Sequence, residues 1–170
     1  MRDVRSHDSE IGETRQFLDI VAAEFGREAQ DGLAGEDALA FLRLIRPGDY
    51  FGLLAYLPPE DEQLAFALRE FRARVGRIGR CATMLGYGPR YLHSTGQLHK
   101  GGANSGVFVI VTAALAEDLA IPGAPYSFGV LEQAQAVGDF QSLDRAGRRV
   151  MHLHLPQRDA QSLQMVFARL

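Results

Sequence analysis

Apolar residues in the first quarter of the chain recur every three to four positions, the spacing of a helix that buries one face. This spacing predicts helices over residues 11–30 and 36–46, and Pro47-Gly48 ends the second helix. Residues 1–10 are charged and lack this period, so we expect a loose N-terminus there. The predicted organisation is a loose end at 1–10, N-terminal helices at 11–47 and one domain at 48–170.

From residue 48 onward, apolar runs alternate with amphipathic stretches. A nearly continuous apolar run is typical of a strand that is covered on both faces of a parallel sheet. Such runs predict strands at 49–57, 79–85 and 106–113, and an alternating pattern predicts a last strand at 148–155. Amphipathic spacing predicts helices at 59–75, at 127–136 with Ser127 as N-cap, and from Asp159 onward. Strands that alternate with crossover helices pair in parallel, so the predicted fold is α/β, with a sheet of about four or five strands and helices on both faces.

Composition narrows the class of protein. A chain of 170 residues, 46% of them hydrophobic, is long enough for one domain with a full core. The net charge of -3, without a block rich in Lys or Arg, argues against a nucleic-acid or anionic-membrane surface. The longest apolar run, 106–116, is shorter than the roughly 20 residues that span a bilayer. With one cysteine, Cys81, and no signal-peptide pattern, we expect a cytoplasmic protein without disulfides, metals or cofactors.

Residues 86–102 concentrate the polar chemistry of the chain, with the sequence GYGPRYLHSTGQLHKGG. This segment holds two of the five histidines, and Lys100 is the one lysine among the 18 Lys and Arg residues. A lysine amine transfers protons and makes point contacts with phosphate, which an arginine does less well. The segment follows a predicted strand directly, and ligands of open parallel sheets bind beyond the carboxyl ends of strands. We therefore expect a site for a small anion here.

Two local structures suit this segment. If one helix runs from Pro89 to Lys100, then His93, Gln97 and Lys100 share a face. If Gly96 breaks that helix, residues 94–97 form a polar loop whose backbone N–H groups suit an anion. A solvated helix with incidental histidines is the competing interpretation.

Other kinds of site receive less support from the sequence. His93 and His99 do not fall on one face of a regular helix and no Cys or carboxylate lies between them, which argues against zinc. His152 and His154 share one face of a strand, where a polar edge or a partly buried pair is favoured over a two-histidine metal site. The sequence contains no P-loop, dinucleotide-binding fingerprint or nucleophile elbow.

Taken together, these segments resemble the C-terminal part of bacterial fusions of transaldolase with phosphoglucose isomerase. The resembling stretches are 49–58, 85–102, 104–108, 121–139 and 147–150, of which 85–102 is the most specific. The resemblance implies a sugar isomerase (SIS) domain, a three-layer, flavodoxin-like parallel sheet that binds phosphosugars. It also implies the glucose-6-phosphate isomerase reaction of carbohydrate metabolism, in which ring opening precedes proton transfer between C1 and C2 through an enediol.

The resemblance further implies roles for individual residues. His99, followed by Lys-Gly, matches the histidine that assists ring opening, with Lys100 beside it to stabilise the ring oxygen or the enediolate. His93 is the alternative to His99 in that role. Glu132 is the candidate base, although an exposed helix acid is the competing interpretation and the lysine that such isomerases carry nearby is absent. The candidate substrate- and phosphate-binding residues are Arg90, His93, Ser94, Thr95, Gly96 and Gln97.

The same resemblance bears on partners. The family builds its site between two SIS domains, and this chain has one. We therefore expect a second copy of the chain, or a complementary SIS or transaldolase domain, to complete an isomerase of hexose phosphates. The alternative is a noncatalytic phosphosugar-binding or regulatory module of carbohydrate metabolism.

Overall fold

A computed structural model describes residues 40–115 and 117–167 of the protein. The expected loose end at 1–10 and the helix at 11–30 lie outside the described residues, as do residues 36–39 of the helix predicted at 36–46. The described part of that helix is helical at 40–42 and ends in a turn at 43–44. The described strands form one sheet in which every pairing is parallel, in the order β2-β1-β3-β4. They are β1 (Tyr50–Ala55), β2 (Ala82–Tyr87), β3 (Gly106–Ala113) and β4 (Arg149–Leu155). The predicted parallel α/β sheet is confirmed, with four strands.

Helices follow each strand, as the alternating pattern predicts. They are α1 (Glu62–Gly79), a 3₁₀ helix (Arg90–His93), α2 (Gly96–Gly101), α3 (Phe128–Arg145) and α4 (Ala160–Phe167). The helix α1 begins after Asp61 because that carboxylate accepts hydrogen bonds from the backbone N–H groups of Gln63 and Leu64. The helix α3 extends nine residues beyond the predicted end at 136. Among the described helices, none is both long and apolar enough to cross a membrane.

The two faces of the sheet are covered by different helices, which makes the fold three-layered and flavodoxin-like. On one face, β1 residues such as Phe51 and Leu53 pack with α1 and α4. On the other face, Leu54 of β1 and Phe108 of β3 pack with α3 and the 3₁₀ helix. All eight residues of β3 are buried. This burial on both sides explains why the central strands β1 and β3 are nearly continuous apolar runs and do not alternate.

The strand order creates a switch point at the carboxyl end of β1. The connection from β1 passes through α1 to β2 on one side, whereas β3 lies on the other side of β1. Loops that leave the carboxyl ends of β1 and β3 therefore diverge, and open α/β sheets bind ligands in the crevice that results. Tyr56 follows β1 directly, and its backbone N–H donates to the carbonyl of Val111 in β3.

At the opposite end of the sheet, an ion pair joins the segment before β1 to the start of β4. The Arg149 guanidinium donates to both carboxylate oxygens of Asp49, at 2.5 and 2.9 Å. It also donates to the backbone carbonyls of Leu44 and Asn104. The hydrogen bonds from Arg149 lower the pKa of Asp49. Charge-assisted hydrogen bonds thus join the amino ends of β1 and β4.

Candidate functional site

The polar segment after β2 consists of two short helices separated by a turn. The 3₁₀ helix ends at His93, Ser94 and Thr95 form the turn, and Gly96 begins α2. The Ser94 hydroxyl donates to the carbonyl of Tyr91, a local bond that competes with continued helix. Of the two alternatives, the unbroken helix is not observed; the helix is interrupted, but at Ser94 and Thr95, and Gly96 begins α2. Because the turn intervenes, His93 does not continue the helical face of Gln97 and Lys100.

The turn into this segment requires a glycine at position 88. A Cβ on Gly88 would lie 2.5 Å from the ring of Tyr56, the residue that follows β1. The 3₁₀ helix consequently starts close to the carboxyl ends of β1 and β2. This is the edge where the sequence predicts a ligand site.

The candidate binding residues differ in their exposure at this edge. Arg90, His93, Ser94 and Gln97 are exposed to solvent, and Gly96 is buried. Thr95 is half-buried, and its hydroxyl oxygen is buried without a hydrogen-bond partner. The exposed residues supply a guanidinium, an imidazole, a hydroxyl and an amide, which are groups suited to a sugar phosphate.

The two residues at the end of this segment, His99 and Lys100, lie toward the opposite edge of the sheet. The hydroxyl of Tyr50, the first residue of β1, is 3.1 Å from His99 Nδ1. Arg148, which precedes β4, donates to the backbone carbonyls of Lys100 and Gly102, each at 2.7 Å. Since both contacts involve the amino ends of strands, α2 carries His99 and Lys100 away from the carboxyl edge. The contacts of His99 and Lys100 thus differ from those of Arg90 and His93, which are exposed to solvent.

His99 occupies an aromatic enclosure and is only 3% exposed. The rings of Tyr50, Tyr91 and Phe108 surround it at centroid distances of 6.1, 6.2 and 5.0 Å. Burial lowers the pKa of His99, and the charge of Asp139 opposes that effect in part. The imidazole is therefore held in its neutral form, with Nε2 buried and unpartnered.

Asp139, on α3, is a buried carboxylate that the sequence analysis missed. Lys100 Nζ lies 2.6 Å from its Oδ1, and the Tyr91 hydroxyl donates to its Oδ2. The Asp139 side chain is 2% exposed and that of Lys100 is 26% exposed. A signal was present in the sequence, because Asp139 continues the stripe of α3 that also contains Ala136 and Leu143. An acid in an apolar stripe indicates a buried partner.

Glu132 lies on α3 near the carboxyl edge of the sheet. Its Oε2 is 4.0 Å from a guanidinium nitrogen of Arg158, which follows β4, and its side chain is 32% exposed. Burial raises the pKa of Glu132, Arg158 partly offsets this, and Asp118 adds to it. Burial is the main cause that raises the pKa of Tyr56, and the charges of Asp139 and Glu132 add to it. A carboxyl whose pKa is raised can both accept and return a proton.

The amino end of α3 is occupied by groups of this chain. Ser127 is the N-cap, as predicted, and its hydroxyl accepts from the N–H of Val130. Asp118 accepts from the N–H groups of Gly129 and Leu119 and from the Ser127 hydroxyl. The Ser127 hydroxyl bond is the main cause that lowers the pKa of Asp118. An internal carboxylate thus takes the place that an anionic ligand would use at this helix end.

The remaining histidine pair lies on the edge strand. His152 Nε2 and His154 Nδ1 are both 2.8 Å from the hydroxyl oxygen of Thr112 on β3. Two imidazoles that share one hydroxyl match the expected polar pair on one strand face. Across 40–115 and 117–167, no group of three or more His, Cys, Asp or Glu side chains is arranged to hold a metal ion.

Comparison with known proteins adds a fold relationship. The chain matches no protein-family model, and a search of curated proteins finds no significant match. Among solved structures, it is similar to the hypothetical protein TT0462 from Thermus thermophilus, with a TM-score of 0.64 and 20% sequence identity. The match covers 91% of this chain and 44% of that chain, so this chain spans less than half the length of its structural neighbour. At this identity the similarity shows the fold alone.

Proposed function

We propose that this chain is a phosphosugar-binding SIS domain and supplies half of an aldose–ketose isomerase for hexose 6-phosphates. The observation that carries the proposal is Glu132, a carboxyl near the start of α3 that lies 4.0 Å from Arg158 at the carboxyl edge of the sheet and whose pKa is raised by burial. Carboxyls with a raised pKa in such crevices are candidates for general acid–base work. The long motif at 85–102, which resembles phosphoglucose isomerase, supplies the substrate class.

In the proposed reaction, Glu132 moves one proton between adjacent carbons of the open-chain sugar. Its carboxylate takes the proton from C2 of the aldose, and the resulting enediolate keeps both oxygens. The same carboxyl returns the proton to C1, while a proton passes from O2 to O1, which gives the ketose. His93, exposed beside the edge, suits the ring-opening step better than the enclosed His99.

The phosphate requires cationic or donor groups at the same edge. Arg90 and Ser94 are exposed on the segment after β2, and Arg158 lies beside Glu132. Arginine is suited to two-point recognition of phosphate. We assign phosphate binding to Arg90 and Ser94 and hydroxyl contacts to Gln97.

A second domain is part of this proposal because the edge is open and bordered by apolar side chains. Leu119 and Phe128 are 69% and 52% exposed, and the Phe128 N–H donates to the Leu119 carbonyl, so the two lie side by side. Leu131, one turn further along α3, is also exposed and is the neighbour of Glu132 in sequence. We call Leu119, Phe128 and Leu131 the apolar rim. A second copy or a complementary SIS or transaldolase domain that covers this rim excludes water from Glu132.

The test combines binding with exchange chemistry. Thermal unfolding and calorimetry are measured with glucose 6-phosphate, fructose 6-phosphate and 6-phosphogluconate, and a ligand at about 100 times its Kd stabilises by about 2.7 kcal/mol. Proton NMR in D₂O then follows deuterium incorporation at C2 of the aldose and C1 of the ketose. We expect binding with exchange, and expect Glu132→Gln to bind but to lose exchange. Glu70→Gln, an exposed acid on α1, is the matched control.

A noncatalytic phosphosugar-binding module is the second candidate. Two observations favour it: His99 is buried in the core, and Lys100 forms an ion pair with Asp139. Binding without deuterium exchange, at any concentration of the chain and with a complementary domain added, supports this module. Failure of all three ligands to bind contradicts both functions.

A further inference from the structure

One buried carboxylate holds both ends of the candidate ligand segment. Tyr91, on the 3₁₀ helix, donates to Asp139 Oδ2, and Lys100, near the end of α2, pairs with Asp139 Oδ1. Between these two anchors lie five of the six candidate substrate-binding residues: His93, Ser94, Thr95, Gly96 and Gln97. Asp139 thus contacts the segment on either side of its turn and makes both contacts from a single side chain.

The anchor belongs to the rigid part of the molecule. Asp139 lies well inside α3, an 18-residue helix, and its side chain is 2% exposed. The neighbouring positions Ala136 and Leu143 pack in the core against β1 and β3 residues. The position of Asp139 relative to the sheet is therefore set by core packing, which permits little movement.

The other side-chain contacts of the segment are local or reach the sheet: His99 contacts Tyr50 of β1 and Phe108 of β3. The Ser94 hydroxyl bonds to the carbonyl of Tyr91, inside the segment itself. The hydroxyl oxygen of Thr95 is buried without a partner. Arg148 fixes the backbone at the end of α2 through the carbonyls of Lys100 and Gly102. The hydrogen bond from Tyr91 and the ion pair of Lys100, both to Asp139, are the polar side-chain contacts that join this segment to α3.

We propose that Asp139 is a positioning residue that sets the geometry of the ligand segment through Tyr91 and Lys100, and that Lys100 serves as a tether and not as a phosphate ligand. This inference rests on the proposed function for the identity of the ligand. The tether role gives a physical reason for the one lysine of the chain. A compact ammonium can approach a single buried oxygen, whereas the wider, planar guanidinium of Arg is suited to two-point contacts.

The first arm of the test uses no ligand. Protein grown with ¹⁵N-lysine gives a single side-chain NH₃⁺ signal, and amide exchange is followed at Leu92, Ser94 and Thr95, whose N–H groups bond within the segment. We expect Asp139→Asn to abolish the NH₃⁺ signal and to speed amide exchange about tenfold, since bonds to a charged group are lost. Asp144→Asn, an exposed acid on the same helix, is the matched control and leaves both unchanged.

Tyr91→Phe is the second variant, because it keeps the buried ring and removes one bond to Asp139. We expect faster amide exchange at Ser94 and Thr95 with the NH₃⁺ signal retained. Unchanged exchange in folded Asp139→Asn and Tyr91→Phe overturns the positioning role. An NH₃⁺ signal that shifts on addition of inorganic phosphate in the wild type overturns the tether role.

The second arm measures affinity for fructose 6-phosphate by calorimetry. We expect Asp139→Asn and Tyr91→Phe to weaken binding about tenfold, whereas the exposed control Asp144→Asn retains affinity. We expect Lys100→Met to lower the affinity for fructose 6-phosphate. Lys100→Arg is expected to retain less than half of the affinity that Lys100→Met loses. If the first arm succeeds and the wild type binds no sugar phosphate, the positioning role stands and the proposed function fails. Unaltered affinity in Asp139→Asn, with a wild type that binds, contradicts the link between positioning and the ligand.

Discussion

The ammonium nitrogen of Lys100 lies 2.6 Å from Oδ1 of Asp139 and joins α2 to α3 on one face of the sheet. The carboxylate is nearly inaccessible to water, so the Lys100 ammonium and the Tyr91 hydroxyl stabilise its negative charge in place of solvent. Loss of one member of such a pair leaves a buried charge unpaired, whereas joint replacement by apolar side chains is far less costly. The pair is thus a stability element as well as a constraint on the ligand segment.

The first prediction concerns this pair. Lys100→Met is expected to lower the free energy of unfolding by about 3 kcal/mol, at the low end for a broken buried pair because Lys100 is partly exposed. Adding Asp139→Leu to that variant is expected to recover at least half of the loss. Urea unfolding at pH 7 measures both, and additive effects of the two substitutions would contradict the pairing.

The second prediction concerns the ion pair at the amino ends of β1 and β4. Because the pKa of Asp49 is lowered by Arg149, the unfolded chain binds more protons than the folded chain just below pH 3.8. The stabilisation is therefore complete above pH 3.8 and is lost as pH falls further. Asp49→Asn is expected to cost about 2 kcal/mol at pH 7 and much less at pH 2.5. Urea unfolding at both pH values checks this, and equal costs would refute it.

The third prediction concerns His99. Burial lowers its pKa below 6.5, so the unfolded chain takes up a proton before the folded chain does as pH falls. Stability from this residue is complete above pH 6.5 and declines below it, by at most about 1.4 kcal/mol per pH unit. His99→Gln is expected to reduce that slope in unfolding measurements between pH 7.5 and 5. The exposed His93→Gln is the control, and an equal change in both variants would count against the enclosure.

The fourth prediction concerns Glu132. Its pKa is raised above 4.5, so the folded chain retains the proton longer than the unfolded chain as pH rises. The ionised carboxylate therefore destabilises the fold above that range. Glu132→Gln is expected to raise stability at pH 7 by less than about 1 kcal/mol, since a third of the side chain is exposed, and to show no gain at pH 4. Stabilisation that is equal at both pH values would contradict the burial of the charge.

The fifth prediction concerns the apolar rim. Phe128→Asp places a charge at the centre of the surface that a second domain is proposed to cover. We expect it to abolish self-association, or association with an added complementary SIS domain, in sedimentation velocity while the melting temperature stays close to that of the wild type. Phe66→Asp, an equally exposed residue on α1, is the matched control. Equal loss in both variants would show that the rim is not the interface.

Much of the fold could be predicted from local pattern. The run at 49–57 is apolar after Asp49 and the buried strand at 106–113 is apolar apart from Thr112, and strands covered on both faces satisfy such runs. The Ser127 cap could be predicted because a hydroxyl before an amphipathic stretch satisfies free N–H groups. The predicted end of α3 at 136 was wrong, since its later turns bury Asp139 as well as Leu143 and so blur the apolar stripe.

For residues 89–100, the local sequence pattern does not determine the secondary structure or the surroundings of the histidines. Its spacing allowed one helix or a broken one, and the observed turn at Ser94 and Thr95 follows from a hydroxyl bonded to the preceding turn. The histidines look equivalent in sequence, yet His93 is exposed and His99 is enclosed by Tyr50 and Phe108. Those contacts come from residues that are distant along the chain.

Local sequence was enough to establish the types of element, their parallel pairing and the concentration of polar chemistry at 86–102, because periodicity and turn residues act over a few positions. The pairing of Lys100 with the distant Asp139, and the departure of His99 and Lys100 from the carboxyl edge, emerged from the folded chain alone. The physical reason is that helix direction and core packing place side chains from remote segments together. Charge, burial and pKa at those side chains then follow from neighbours that local pattern does not contain.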